Sequence, residues 1–476
     1  MVTVCQSVAC AGNVSGGGNR DSSAADAAVA SDRLAPKDVV DAVADRPDVD
    51  LGDVSLGVDG DTVEPEIPAP AAIIDATTLR GKMLFGYQGW FGAPGDGSTV
   101  NTWHHWLSPT STAPAIGFVV DMWPDVTELT AEERFTTPGL TLPDGTPAAT
   151  FSSFKEQTVV RHFRWMREHD LDGVYLQRFL GEIQEPRFFA FRNQVTRNVR
   201  MGAETHGRVF AIEYDLSLPQ QMQPMIVDRL KADWMYMVDT LKVTESNRYL
   251  HHAGKPVVAI WGMGFLTRPT TPQQAQEIIT WFKSGAPPAY RATVIGGVPS
   301  RWRTLGYDVQ QDPAWAPVYR SLDVISPWSV GRYVDDAAAD RFKDDVVVPD
   351  LAETAALGIE YLPIAFPGFS WHNLMSTAQK NAIPRRGGRF YWRQVTNLVT
   401  AGATMFKTAM FDEVDESTAM FKLAPTAAQA PMQSTFVTLD EDGETLPTDW
   451  YLRVARVATQ VVRGHRPATP TLPITP

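Results

Sequence analysis

Short apolar, β-branched or aromatic runs recur along this chain at 82–87 (KMLFGY), 172–177 (DGVYLQ), 208–213 (RVFAIE), 256–261 (PVVAIW), 292–298 (ATVIGGV), 322–326 (LDVIS), 359–365 (IEYLPIA) and 403–411 (ATMFKTAMF). Several are continuously apolar rather than alternating, the pattern of strands covered on both faces of a parallel sheet. Helical periodicity predicts helices over 154–169, 223–242, 272–283, 313–320, 335–357, 388–401 and 448–463. In the first, Val159, Val160, Phe163, Trp165 and Met166 share overlapping faces while Gln157, Arg161, Arg164 and Glu168 lie outside. Eight strands alternating with helices within about 400 residues predict an α/β fold, a (β/α)8 TIM barrel. An open doubly wound sheet fits less well, because no Gly-rich phosphate loop follows the first strand.

Composition separates this barrel from its ends. Of the formal charge of -13 over 476 residues, residues 1–70 hold 13 acidic against 4 basic side chains, a net of -9, so the remainder carries only -4. The first aromatic residue is Phe85. A segment rich in Ala, Asp, Gly and Ser without an aromatic ring cannot bury enough apolar surface to offset its chain entropy. Residues 1–70 are therefore expected to be a disordered acidic leader, 71–465 the barrel domain, and 466–476, with four prolines, an unstructured tail. The acidic balance argues against a nucleic-acid partner, which would need a basic face. No run reaches the roughly 18 apolar residues of a spanning helix. The only cysteines, Cys5 and Cys10, exclude a disulfide framework and a cysteine nucleophile in the body. Ser7, Val8, Ala9 and Cys10 form a loose lipoprotein box, with a lipid anchor at Cys10 if the true start lies upstream; two incidental cysteines in a tail are the alternative. The cysteine-free body and polar leader favour an exported or surface-tethered protein.

In such barrels chemistry sits at the C-terminal strand ends and in the βα loops. The first strand ends at Tyr87, Gln88 and Trp90 and enters a long stretch, 92–153, holding Trp103, His104, His105, Trp106, Asp121 and Trp123. Later strands end at Gln177 and Arg178 with Glu182 beyond, at Glu213, Tyr214 and Asp215, at Trp261, at Trp328, at Trp371 and His372, and at Asp412 and Glu413. Seven of the 14 tryptophans fall at such positions. Flat aromatic faces beside carboxylates and arginines suit sugar rings, so an oligo- or polysaccharide is the expected partner. Candidate substrate contacts are Tyr87, Trp90, His104, Arg178, Glu213, Tyr214, Asp215, Trp328, Trp371, His372 and Asp412; for Arg178 a structural ion pair is the equal alternative. Adjacent histidines in an extended chain diverge and no HxH or HExxH spacing occurs, so neither a metal nor a cofactor is expected.

The sharpest local feature is 411–416, FDEVDE. Glycosidic cleavage needs two carboxyl groups, one to protonate the leaving oxygen and one as nucleophile or base. Glu413 and Glu416 are three apart; if the chain turns helically their Cβ atoms lie about 5–6 Å apart, and if it stays extended they point to opposite faces. Crowding with Asp412 would raise a carboxyl pKa, as a general acid requires. An acidic helix N-terminus is the alternative.

The strings KMLFGYQGWFGAPGDG, DMWPDV, FRWMREHDLDGVYLQRF, AIEYDLS and AMFDEVDESTAMFK resemble bacterial glycoside hydrolases related to families 71 and 99, over about 82–463. That resemblance implies a (β/α)8 glycosidase acting on α-mannan- or α-glucan-like substrates, endo-acting if it follows family 99. Phe411, Glu413 and Glu416 match a Phe-Asn-Glu-Trp-x-Glu signature; Asp412 replaces its Asn and Val414 its Trp. It implies Glu416 as general acid/base and Glu413 as the base that deprotonates the sugar 2-hydroxyl, giving a 1,2-anhydro intermediate. An inverting route, a transglycosidase and a non-catalytic lectin-like barrel remain open.

Overall fold

The computed structural model describes residues 73–108 and 117–476. The acidic leader and the anchor expected at Cys10 lie outside the described residues.

The strands β1 Met83–Tyr87, β2 Gly173–Phe179, β3 Val209–Asp215, β4 Lys255–Trp261, β5 Thr293–Val298 and β6 Val324–Pro327 pair in parallel, each with the next. Strand β7 comes in two short pieces, Glu360–Tyr361 and Ile364–Ala365, and β8 is Phe406–Thr408. The first piece of β7 pairs with β6 and the second with β8, while β8 pairs with β1. Between the pieces, Leu362 N donates to Ile325 O at 2.8 Å and Lys407 N to Pro363 O at 2.9 Å. One strand thus joins both edges, and the parallel sheet closes into the (β/α)8 barrel. Every β1, β2 and β3 residue is buried, consistent with their continuous apolar runs.

Helices α1 Glu156–Glu168, α2 Pro186–His206, α3 Ile226–Asp239, α4 Pro272–Thr280, α5 Trp315–Tyr319, α6 Asp336–Phe342, α7 Val348–Leu357, α8 Arg389–Thr400 and α9 Trp450–Val462 follow the strands, with α6 and α7 sharing the slot after β6. The sequence pattern predicts all of these slots except that of α2. Its inward side mixes Phe188, Phe191, Val195 and Val199 with buried Arg192, Asn193, Thr196 and Asn198, which blurs the apolar stripe. Proline at its first turn and Gly207 at φ 64° still mark its ends.

Two excursions cover the C-terminal mouth. The insertion after β1 carries an antiparallel hairpin, Phe135–Thr141 with Pro147–Thr150. Its segment around Asp121 is knitted to the chain after β8: Asp121 N and Met122 N donate to Val414 O (2.9 and 3.0 Å), and Ala424 N donates to Trp123 O (2.9 Å). The terminal 466–476 has no helix or strand, yet it is held in place. Trp392 Nε1 donates to Thr469 O at 2.9 Å, and Ala468, Leu472 and Ile474 pack on the core. Among the described residues no helix is long and apolar enough to cross a membrane.

Candidate active site

After β8 the chain makes a turn over 414–417, with Ser417 at φ 56°. The extended alternative is therefore excluded, and no helix begins here for the acids to cap. Asp412, Glu413, Asp415 and Glu416 are all buried, with Glu413 and Glu416 each 1% exposed. Glu413 accepts from Gln88 Nε2 at 2.5 Å on one oxygen and from Thr418 Oγ1 at 2.6 Å on the other. Asp412 accepts Gln88 N at 2.7 Å and Gly89 N at 2.9 Å. Only glycine fits there: φ is 56°, and a Cβ would come within 2.8 Å of Val195. Asp412 thus closes β8 onto the end of β1 and presents Gln88 to Glu413. Burial pushes the Asp412 carboxyl up to about 7 against those two backbone bonds, with the charge of Glu413 adding to the rise. Asp415 is also pushed up to about 7 by burial, with Asp121 contributing.

Side chains along a barrel strand alternate between the interior and the helix layer. Glu213 faces the interior, where Gln177 Nε2 donates to its Oε2 at 2.6 Å and Lys407 Nζ lies 2.5 Å from the same oxygen. Lys407 on β8 can meet Glu213 on β3 only across the barrel. Tyr175 and Trp328 flank Lys407, their rings 5.8 and 5.9 Å from Nζ. Asp215, on the same face, accepts Ser217 N at 2.6 Å; burial raises its pKa while Arg268 opposes the rise.

The neighbouring positions point the other way: this corrects two expected substrate contacts, Tyr214 and Tyr87, and gives Arg178 its alternative role in a structural ion pair. Arg178 makes two bonds to Asp233 of α3 (2.5 and 2.6 Å) and one to Asn193 of α2 (2.9 Å). Tyr214 donates to the same Asp233 at 2.8 Å. Tyr87 packs under α1, its hydroxyl 2.8 Å from His162 Nδ1. All three fasten helices to the outside of the barrel. Strand ends were legible in sequence, but the face each residue takes depends on register, and a one-residue difference reverses it.

The loop wall contradicts another expectation. His105 sits at φ 58°, and this left-handed residue lets both adjacent imidazoles reach one carboxylate. His104 Nε2 is 3.2 Å and His105 Nε2 3.7 Å from Glu182 Oε1, and one ligand atom from each of the three residues lies within 4.8 Å of the other two. The divergence that argued against a metal does not occur. Arg192 of α2 holds the other Glu182 oxygen through Nε (2.7 Å) and Nη2 (2.5 Å). Trp90 stacks on His105 with ring centroids 3.7 Å apart and on Phe179 at 5.1 Å. Burial lowers the His104 pKa to about 4 and lowers that of His105; burial opposes ionisation of Glu182, but the Arg192 charge holds it well below the usual range.

Trp371 and His372 are half-buried on the rim. Asp121, which sequence reasoning noted without assigning a role, ties this rim to the insertion: it accepts His372 N at 2.7 Å, Asn373 N at 2.6 Å and the Ser370 hydroxyl. Of the other tryptophans expected to form an open cleft, Trp103 is half-buried while Trp90, Trp106, Trp123, Trp261 and Trp328 are buried, with Trp261 and Trp328 edge to face at 5.4 Å. Several buried polar atoms at the mouth have no hydrogen-bond partner: Gln88 Oε1, Trp90 Nε1, Tyr175 Oη, Trp261 Nε1 and Trp328 Nε1. Such orphaned donors and acceptors are uncommon in protein interiors and suit a polyhydroxylated ligand. Gln88, Gln177 and Lys407 are the site residues that sequence reasoning did not choose. A lysine inside the apolar run ATMFKTAMF was the available signal, because a buried charge needs a partner.

No family model and no curated protein matches the chain. Among solved structures, its fold is similar to that of the GH99 endo-α-mannosidase from Bacteroides thetaiotaomicron: 14% identity and a TM-score of 0.58, covering 81% of this chain and 99% of that one. A structure of the same enzyme with bis-tris-propane gives 15% identity and a TM-score of 0.57, covering 82% and 100%.

Proposed function

We propose that this protein is a glycosidase cleaving an α-linked glycan, mannan- or glucan-like, within its chain. Support comes from one observation above all: a carboxylate pair in a desolvated turn at the barrel mouth, one member oriented by Gln88 and Thr418, beside orphaned indole, phenol and amide groups. The shared fold with an endo-α-mannosidase points the same way. Glu416 protonates the departing glycosidic oxygen. Glu413 takes the proton of the 2-hydroxyl, whose oxygen attacks the anomeric carbon to form a 1,2-anhydro sugar. Water then opens that ring, giving its proton to Glu416 while the 2-hydroxyl regains the proton held on Glu413. Because both carboxylates are 1% exposed, substrate reaches them only by displacing part of the surrounding loops. Export, with a tether at Cys10, is a separate proposal resting on the cysteine-free body; cell fractionation tests it.

Product analysis on a panel of α-mannans and α-glucans, with NMR of the first anomer formed, tests the reading. Retained configuration and internal cleavage are expected. Inversion would replace the anhydro route with direct attack by water, and glycan binding without released reducing ends would leave a lectin. Glu416→Gln should lower turnover at least about a thousandfold and leave glycan affinity nearly unchanged; unchanged turnover removes Glu416 from the acid role.

A further inference from the structure

We propose that His104, His105 and Glu182 form a divalent-metal site of the zinc class in the wall of the cleft. Two imidazole nitrogens and one carboxylate oxygen, with one position left over, is a donor set suited to Zn²⁺. The separations of 3.2 and 3.7 Å between the nitrogens and Glu182 Oε1 are close to the edge of a tetrahedron whose bonds are about 2.0–2.1 Å.

The position of His105 argues for the cation. The ring lies between two acidic side chains, with Nε2 3.7 Å from Glu182 Oε1 and Nδ1 3.6 Å from Asp415 Oδ2, both beyond hydrogen-bond distance. A metal ion between Nε2 and Glu182 Oε1 would give both buried atoms a bond that the two side chains do not make directly. The surroundings also fit a metal centre. Metal-bound histidines commonly give their second N–H to a carboxylate, and ligating carboxylates are held by further hydrogen bonds. Asp415 is placed for the first role. Arg192 fills the second, engaging only Oε2 and leaving Oε1 free to face the histidines. Stacking against Trp90 fixes the His105 ring. Such an ion would bind the insertion after β1 to the loop after β2, next to the acidic turn after β8.

The test is binding, independent of turnover. Full-length protein is dialysed against chelator and titrated with Zn²⁺ by calorimetry and with Co²⁺ by visible absorption. One equivalent of each should bind, and Co²⁺ should give a tetrahedral spectrum without thiolate charge transfer. Binding should survive Cys5→Ser/Cys10→Ser and fall at least tenfold in His105→Gln. His104→Gln, at the edge of the cluster, should fall similarly and serves if His105→Gln does not fold. No binding to folded protein at 100-fold excess metal, or binding that follows the cysteines, overturns the proposal. The cluster would then be a hydrogen-bonded brace of His104, Glu182 and Arg192.

Discussion

Replacing Lys407 with methionine tests whether Glu213 is an anchor of the barrel floor. The methionine keeps most of the aliphatic volume and removes the ammonium 2.5 Å from Glu213 Oε2. Both side chains are at most 5% exposed, so the stranded carboxylate keeps only the amide of Gln177. Breaking one side of a buried pair costs about 3–5 kcal/mol. For about 400 folded residues, an unfolding entropy of ~2.1 cal/mol/K per residue converts this to a fall in Tm of roughly 4–6 °C. Adding Glu213→Gln removes the unpaired charge while keeping an acceptor for Gln177, so the double variant should regain at least about half of the loss. Urea unfolding of wild type, both single variants and the double variant gives the coupling. A cost below about 1 kcal/mol for Lys407→Met, or a coupling near zero, refutes the buried-pair argument. Kinetics of the refolded double variant then separate two roles: an anchor leaves KM within a few-fold, whereas a substrate contact raises it tenfold or more.

Three further outcomes are expected. Tyr214→Phe removes one hydrogen bond to Asp233 on the outer face and should cost about 1–2 kcal/mol with KM unchanged; a tenfold rise in KM would return Tyr214 to the cleft. Burial lowers His162 to about 3, so it contributes stability that is present above its unfolded pKa of about 6.5 and is lost as pH falls toward 3. The advantage of wild type over His162→Phe should therefore shrink by about 1.4 kcal/mol per pH unit across that window, and parallel stability curves would contradict it. Asp412 has the opposite sign: pushed up to about 7, it favours folding most fully below pH 3.8 and loses that contribution as pH rises to 7. Stability of Asp412→Asn relative to wild type should consequently rise with pH over 4–7; a pH-independent difference would show that the two backbone N–H bonds keep Asp412 ionised.

All eight barrel strands overlap the short apolar, β-branched or aromatic runs that predict them, several of them continuous because strands covered on both faces leave that mark in the sequence. The closure could not be read the same way. It depends on 360–365 dividing its bonds between two neighbours, and IEYLPIA gives no sign of the division beyond the proline that interrupts pairing. The site was legible to the level of the strand end and no further. Glu213 and Tyr214 are adjacent in sequence, yet one meets Lys407 across the interior and the other meets a helix. That choice is made by neighbouring strands. Likewise the two histidines converge because of one left-handed residue at 105, a backbone state that histidine only occasionally adopts. Helix α2 escaped the periodic pattern because its buried face supplies Arg192 to Glu182, so the same demand that builds the loop wall obscures the helix.

The acidic turn is where these levels meet. Four carboxyl groups within five residues would be mutually repulsive if they shared one environment, and burial would make that worse. The fold separates them instead. Asp412 is spent on two amides of β1, and Asp415 turns toward His105 in the loop wall. The backbone of Val414, where the resembling signature has tryptophan, receives the amides of Asp121 and Met122. Glu413 is the acid whose two oxygens are held by a carboxamide and a hydroxyl, groups that orient a carboxylate without neutralising its charge. In the mechanism proposed above, a base that must accept a proton from a sugar needs that combination. With Asp412 bonded to the amides of Gln88 and Gly89, the Glu413 carboxylate keeps its two orienting partners.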